Sequence, residues 1–390
     1  MLVDGLKYVW RVLCFNCCDL SSILEAQKTP LYVYSKSKII ENYNKYKDNF
    51  DKYVKNYQVC YAVKANFNFK ILKMLKKLGS GFDVVSLGEI KQVLKAGVKV
   101  SKIVFSGVGK TEEELEYAIK KGIGQINIES YEEFLDIVEI ANKIHKIANI
   151  AIRINPNIDA HTHEKITTGK EENKFGVNLQ IAKKIIEEAK KFEYVKIKGL
   201  SFHIGSQITD LKPFEELFNF IKDNNLQDFE TLDLGGGIGI QYADNDKTIC
   251  IEDYTKLIKQ YFGDSGCKII VEPGRSIVAD AGIFICKIVR IKRTENKNFI
   301  ILDGGMNNLI RPAMYGAFHK PFVVKIESDK TEKYDIVGPI CESSDVFCEN
   351  IELNEATKNN YIAFACAGAY GRSMASEYNL HKIAKEIFIK

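Results

Sequence analysis

The stretch VCYAVKANFNFKILKM (59–74) ends a short apolar run on Lys64. An ammonium is costly to bury unless it is paired or neutralised. Lys64 is therefore a rim lysine in an ion pair, or a lysine kept for chemistry. The chemistry open to it is Schiff-base formation, which needs an unprotonated amine held in a fixed direction. Three other groups invite a similar question. In DLGGGIGI (233–240), Gly235, Gly236 and Gly237 free backbone N–H groups to hold a phosphate. The same run also suits a plain tight turn, or an incomplete dinucleotide fingerprint that lacks a following strand with an acidic ribose ligand. Glu272, in VEPGR, closes another apolar run. It can pair with Arg275 or Arg153, or hold a proton on a heteroaromatic nitrogen. His203, in SFHIGSQ, is a satisfied core histidine or a flat ring stacked on another flat ring.

A lysine for a Schiff base, glycines for a phosphate, an acid for a pyridine nitrogen and an imidazole for stacking describe one ligand, pyridoxal 5′-phosphate. Each group alone has a structural explanation. Their co-occurrence favours the cofactor.

The elements that must position these groups follow from a rhythm after residue 58. Short apolar, β-branched runs at 59–66, 82–86, 102–107, 125–130, 150–156, 199–206, 231–237 and 269–275 alternate with amphipathic helical patterns. Alternation of this kind predicts parallel strands with crossover helices. Eight units predict an α/β fold built on a closed TIM-like (β/α)₈ barrel, with an open doubly wound sheet as the alternative. Polar residues gather at the strand ends: Lys64 and Asn66, Asp83 and Ser86, Arg153 and Asn155, His203 and Ser206, the three glycines, Glu272 and Arg275. A barrel of this type builds its site on that rim. Asp83 follows Lys64 in barrel order and can hold its amine. After Arg275 the strand-like segments lose their long intervening helices, which predicts a second, mostly antiparallel β domain. The expected division is 29–274 for the barrel and 275–390 for the β domain, joined by the N-terminal segment 1–28.

The chain has 390 residues, a net charge of +4, 46% hydrophobic and 27% charged residues, so ordinary globular composition applies. Lys-rich runs alternate with Glu or apolar residues at helical spacing and read as solvated helix faces, not as a nucleic-acid footprint. No stretch is long and apolar enough to span a bilayer, and Arg11 interrupts the apolar run YVWRVLCF that a signal peptide would need. Ten cysteines without repeated pair spacing fit free thiols in a reducing cytoplasm. Cys14, Cys17 and Cys18 form a C-x-x-C-C cluster with no second ligand pair, and His161 and His163 lack a third ligand, so no metal is expected.

The chain resembles the fold-type III pyridoxal-phosphate decarboxylases, in the branch that acts on diaminopimelate. The resemblance rests on YAVKAN (61–66), FDVVSLGE (82–89), HTHEKITTG with KFG (161–176), HIGSQI (203–208), DLGGGIGI, EPGR (272–275), RPAMYGAFH (311–319), GPICESSDVF (338–347) and GAYGRSMASEYN (368–379). These runs fall in the family's order from about residue 30 onward. The resemblance implies that Lys64 carries the cofactor and that His203 stacks on its ring. It implies that Ser206 and Gly235 to Gly237, with Gly274 and Arg275 beside them, bind the phosphate, and that Glu272 meets the pyridine nitrogen. Asp83 and Arg153 are further candidates for contact with the cofactor. Arg275, Arg311, Tyr315, Glu342 and Tyr370 match substrate-binding positions, and Tyr370 also touches the cofactor phosphate. Cys341 matches the proton donor, although one cysteine of ten is otherwise an ordinary small core residue. Arg311 can equally be a surface ion-pair partner. HTHEKITTG is expected to be a mobile loop near the site. Because Cys341 and Glu342 reach a partner subunit's site in this family, a homodimer with shared sites is implied.

The implied reaction is decarboxylation of meso-2,6-diaminopimelate to L-lysine and CO₂. Two arginines with Glu342 suit a substrate whose far end carries both a carboxylate and an ammonium. Ornithine, arginine and carboxynorspermidine decarboxylases are the nearest alternatives. A racemase of the same barrel type, expected to lack an acid at position 272, and a non-catalytic cofactor-binding protein, which would not need Cys341 or Glu342, are more distant ones.

Overall fold

The computed structural model describes residues 5–159 and 174–390. His161 and His163, and the rest of HTHEKITTG, lie outside the described residues. The chain divides into two compact units.

One unit comprises Tyr43–Gly239 and Thr248–Gly274. Its eight strands, Tyr57–Ala62, Gly81–Val84, Ile103–Phe105, Gln125–Ile128, Ala148–Arg153, Val195–Ser201, Thr231–Asp233 and Lys268–Val271, close into a barrel. Each pairs in parallel with its neighbour, and the last pairs with the first through Ile269↔Tyr57. The strands are largely apolar because helices cover the outside and side chains fill the inside. The helices begin where the sequence supplies an N-cap. Ser86 caps Leu87–Lys95, Ser130 caps Tyr131–Ile144, and Thr111 with Glu114 forms a capping box on Glu112–Lys121. Gly122 closes that last helix in the left-handed region, φ 68°, which glycine adopts without a Cβ penalty.

The barrel interior is not uniformly apolar. Thr231 Oγ1 donates to Gln125 Oε1 at 2.7 Å, and Gln125 Nε2 donates to Asn127 Oδ1 at 2.8 Å. Asn127 Nδ2 lies 3.1 Å from Ser106 Oγ and Ser201 Oγ and 3.2 Å from Asp233 Oδ2. A ladder of amides and hydroxyls thus crosses the core with its members satisfied, which keeps its burial affordable.

The other unit comprises the chain up to Asn42, Ile240–Lys247 and Arg275–Lys390. Its eight-stranded sheet is mostly antiparallel. The long strand Gly282–Arg293 is central, paired antiparallel with Asn298–Leu302, Tyr361–Phe364 and Leu31–Ser35. Two pairings are parallel, Asn298–Leu302 with Thr331–Val337 and Lys385–Ile389 with Leu31–Ser35. Tyr32, Tyr34, Phe284, Phe347 and Phe364 lie in its core.

Two details correct the sequence reading. Leu31–Ser35 was expected at the start of the barrel, from residue 29, but it belongs to the second sheet. All five of its residues are buried, so the run has the same two-sided apolar character as a barrel strand, and only its partners distinguish it. The excursion Ile240–Lys247, expected inside the barrel, also belongs to the second unit. The C-x-x-C-C run builds a hairpin. Cys14 pairs with Asp19 and Phe15 with Cys18, leaving Asn16 and Cys17 as a two-residue turn with φ 44° and 65°. Positive φ at both positions is the type I′ geometry that matches strand twist. Among the described residues no helix is long and apolar enough to cross a membrane.

Candidate active site

Lys64 stands in a single 3₁₀ turn, Val63–Ala65, directly after the first barrel strand. Its Nζ donates to Asp83 Oδ2 at 2.9 Å. Ala62 and Asp83 are register partners on adjacent strands, so the pairing follows from the barrel's strand order. Asp83 is fully buried and its Oδ1 has no hydrogen-bond partner. Lys64 is therefore held by an acid that water does not reach.

The glycine run follows the seventh strand. Gly235 has φ +68°, and a Cβ there would lie 2.3 Å from the Phe202 carbonyl oxygen. At Gly236 a Cβ would lie 2.2 Å from the Glu272 carbonyl oxygen, and at Gly237, φ +107°, 2.4 Å from that of Gly205. The run is thus pressed against the segments that follow the sixth and eighth strands, which carry His203 and Glu272. Ile208 N–H donates to Gly237 O and Gly239 N–H to Ile208 O, both at 2.9 Å, stitching the loop that holds Ser206 to the glycines. Gly236→Ala is expected to lose about 1–3 kcal/mol of stability through this backbone collision, read as a lower thermal midpoint, and to bind the cofactor more weakly.

Glu272 is buried, with Oε1 left without a hydrogen-bond partner. Burial pushes its carboxyl well above the ordinary carboxylate range, and the nearby Asp233 and Asp83 push it further. Asp233 is fully buried and also raised by burial, and it lies near enough to Glu272 for the two acids to influence each other. It accepts from Gly235 N–H at 3.0 Å and from Asn127. The polar ladder of the barrel core therefore ends on the acid at the rim.

His203 accepts from the Gly236 N–H at Nδ1, 3.2 Å. That assigns its proton to Nε2. Burial, Arg153 and Lys64 hold it well below the usual histidine range, so the ring is neutral. Arg153 donates to Glu129 Oε1 at 2.9 Å, and its guanidinium lies 4.8 Å from the Phe175 ring. Gly274 brings its backbone against the Lys64 turn: a Cβ there would lie 3.0 Å from those of Ala62 and Ala65.

Residues without an assigned role in the sequence reading support this rim. Glu129 also accepts from Gly107 N–H at 3.1 Å and Gly176 N–H at 3.0 Å. Glu89, inside FDVVSLGE, accepts from Val85 N–H at 2.8 Å and is raised to about 7 by burial and by Asp83. Lys110 Nζ is enclosed, donating to Glu133 Oε1 at 2.6 Å and to the Gly107 and Asn127 carbonyls. It is a structural cation. The only sequence signal for these residues is a charged side chain beside a strand end.

The second unit gathers a different set. Arg275 and Arg311 are both buried. Arg275 Nη1 donates to Tyr242 OH at 2.7 Å, and its guanidinium lies 4.9 Å from the Tyr370 ring. Burial disfavours the Arg275 charge, but Tyr242, Tyr370 and Tyr315 outweigh it and hold its ionisation above the usual arginine range. Cys341 and Glu342 form a separate, exposed pair. Cys341 N–H donates to Asn379 Oδ1 at 3.0 Å, and Glu342 accepts from Tyr378 OH.

A closed parallel barrel whose first strand runs into an acid-held lysine defines a class of cofactor-dependent enzyme. The family model described as "Pyridoxal-dependent decarboxylase, pyridoxal binding domain" matches residues 36–279. The diaminopimelate decarboxylase of Zymomonas mobilis is 42% identical over 385 residues, 97% of this chain and 91% of that protein. The crystal structure of diaminopimelate decarboxylase from Helicobacter pylori complexed with L-lysine is 41% identical, with a TM-score of 0.90 over 95% of this chain and 94% of that one. The counterpart from M. jannaschii in co-complex with L-lysine is 37% identical, with a TM-score of 0.93 over 100% and 94%. The chain belongs to the diaminopimelate decarboxylases, and its cofactor is pyridoxal 5′-phosphate. The residues present fit that group, because the buried, unpartnered Oε1 of Glu272 suits a basic ring nitrogen and the neutral His203 suits a flat ring.

Proposed function

We propose that this chain decarboxylates meso-2,6-diaminopimelate to L-lysine and CO₂. The observation that carries the chemistry is one barrel rim bearing both an amine held by a buried acid and a second buried acid with an unpartnered oxygen. The identity to curated decarboxylases over nine-tenths of both chains supports the substrate.

The chemistry that the bound cofactor supplies is an electron sink for the bond to the departing carboxylate. Lys64 Nζ would hold the cofactor covalently, and Asp83 would keep that amine oriented. Glu272 holds a proton at the ring nitrogen, which makes the sink strong and favours decarboxylation over racemisation. The neutral ring of His203 would offer a flat face to the cofactor ring, with Arg153 at the same rim. Ser206, the three glycines and Gly274 hold the phosphate, with Tyr370 beside it. Arg275, Arg311 and Tyr315 take the carboxylate at the substrate's far end, and Glu342 takes the ammonium there. Cys341 Sγ–H supplies the proton that replaces the lost carboxylate.

Cys341 and Glu342 are exposed, as are Tyr378 (46%) and Leu380 (94%) in the adjoining run. Apolar side chains so exposed next to two reactive positions support a homodimer in which this face completes a second copy's site. Ten free thiols support a cytoplasmic setting.

The test is a substrate panel. Purified protein with cofactor is expected to release CO₂ from meso-diaminopimelate, with kcat/KM for ornithine lower by roughly 10³-fold or more because buried arginines lose their carboxylate. Equal turnover of ornithine, or chirality change without CO₂, rejects the reading. Cys341→Ala is expected to slow turnover by roughly 10²-fold with the bound-cofactor absorbance intact. Mixing Cys341→Ala with Lys64→Ala subunits is expected to restore up to about a quarter of wild-type activity, since half the random dimers hold one complete site. No recovery rejects shared sites.

A further inference from the structure

We propose that His319 is a positioning residue that fixes the Arg311 guanidinium for the substrate's far-end carboxylate, with Tyr242 as the aromatic wall that aligns both arginines. The proposal rests on the reading of Arg311 as a carboxylate ligand.

His319 is fully buried, at the end of RPAMYGAFH. Its Nδ1 lies 2.9 Å from the Ala365 carbonyl oxygen and its Nε2 lies 2.8 Å from Arg311 Nη1. A carbonyl only accepts and a guanidinium only donates. The two contacts together therefore allow one state of the ring: Nδ1 carries the proton and Nε2 accepts from Arg311. A second proton would set an N–H against an N–H, so the imidazole stays neutral. Burial and Arg311 both hold it there, lowering it to about 3. One guanidinium nitrogen is thereby committed to His319, which fixes the plane of the remaining donors.

Tyr242 meets every part of this corner. The Arg311 guanidinium lies 4.8 Å from its ring, His319 meets it edge-on at 5.4 Å and 83°, and its hydroxyl accepts from Arg275. Tyr242 arrives on the Ile240–Lys247 excursion, which is held by Lys320 Nζ to Asp244 at 2.7 and 2.8 Å. Lys320 is the residue after His319, so one short stretch sets both the histidine and the tyrosine. Arg311 is 6% exposed and has no acidic partner within ion-pair distance among the described residues. A neutral partner that accepts from Arg311 orients it without cancelling its charge. A carboxylate in place of His319 would neutralise it and weaken its hold on substrate.

The experiment compares L-lysine, which keeps the far-end carboxylate, with cadaverine, which lacks it, as inhibitors of the holoenzyme. His319→Phe keeps the bulk and loses the acceptor. It is expected to raise Ki for L-lysine and KM for meso-diaminopimelate about 10- to 100-fold, the worth of one hydrogen bond to a charged group. Ki for cadaverine should move by less than about threefold, and the bound-cofactor absorbance should not change. His319→Gln, whose amide can both donate to Ala365 and accept from Arg311, should recover most of the loss. Equal weakening of both inhibitors, or unchanged L-lysine binding, overturns the role of His319. If the wild type itself binds L-lysine no more tightly than cadaverine, the reading of Arg311 fails and the proposal falls with it. Nitrogen-15 NMR of the wild-type imidazole needs no variant to fold. It should find Nδ1 protonated and Nε2 bare, and the opposite tautomer overturns the proposal.

Discussion

Lys64→Ala is expected to abolish turnover, lowering kcat/KM by at least about 10³-fold, and to lose the visible absorbance of covalently held cofactor after gel filtration. Lys64→Arg separates the two roles open to this lysine. A guanidinium keeps a cation beside Asp83 but cannot carry the cofactor covalently. If Lys64 serves only the 2.9 Å ion pair, the arginine variant keeps activity. If Lys64 carries the cofactor, both variants are inactive. The variants should differ in stability instead. Lys64→Ala strands the buried Asp83 carboxylate without its cation and melts lower, whereas Lys64→Arg melts nearer the wild type. Borohydride reduction of the wild type gives a direct check. The trapped cofactor must appear on the peptide that contains Lys64, and label on another lysine rejects the assignment.

Glu272→Gln is expected to cost roughly 10²- to 10³-fold in kcat, with cofactor still bound. Glutamine keeps the shape and removes the acid proposed to maintain a proton on the ring nitrogen. Stability of the cofactor-free protein should move the other way. Burial raises the Glu272 carboxyl in the folded chain above its unfolded value, so the folded state binds a proton that the unfolded state gives up. Folding stability from this group is then present at low pH and falls as pH rises from the ordinary carboxylate range toward the raised folded value. Glutamine has no such proton to lose. The cofactor-free variant should match the wild type near pH 4 and melt higher than it at pH 8. A variant that is both active and no more heat-stable at pH 8 would mean that Glu272 is an ordinary ion-paired carboxylate. Asp233 shares in this behaviour, since burial raises it too.

The eight barrel strands were legible because a parallel strand covered on both faces is mostly apolar, and the short β-branched runs at 59–66 through 269–275 alternate with helical patterns. Lys64 and Glu272 were legible for the converse reason: a charge closing an apolar run demands an explanation. Glu129, Asp233, Tyr242 and His319 were not. Glu129 meets Arg153 across 24 residues and Tyr242 meets Arg275 across 33, and nothing local in either segment announces its partner. The start of the barrel was misplaced for a related reason, since Leu31–Ser35 is buried on both faces in a sheet of the other unit.

Local sequence thus determined the order of strands and helices, the helix caps, and the residue types available at the rim, because periodicity and capping act over a few residues. Only the tertiary structure decided which strand Leu31–Ser35 joins, that Glu272 is buried near Asp233, and that His319 lies between Arg311 and the Ala365 carbonyl. Pairing partners and the setting of a titratable group depend on burial and on groups brought close from distant parts of the chain, and neither exists until the chain has folded.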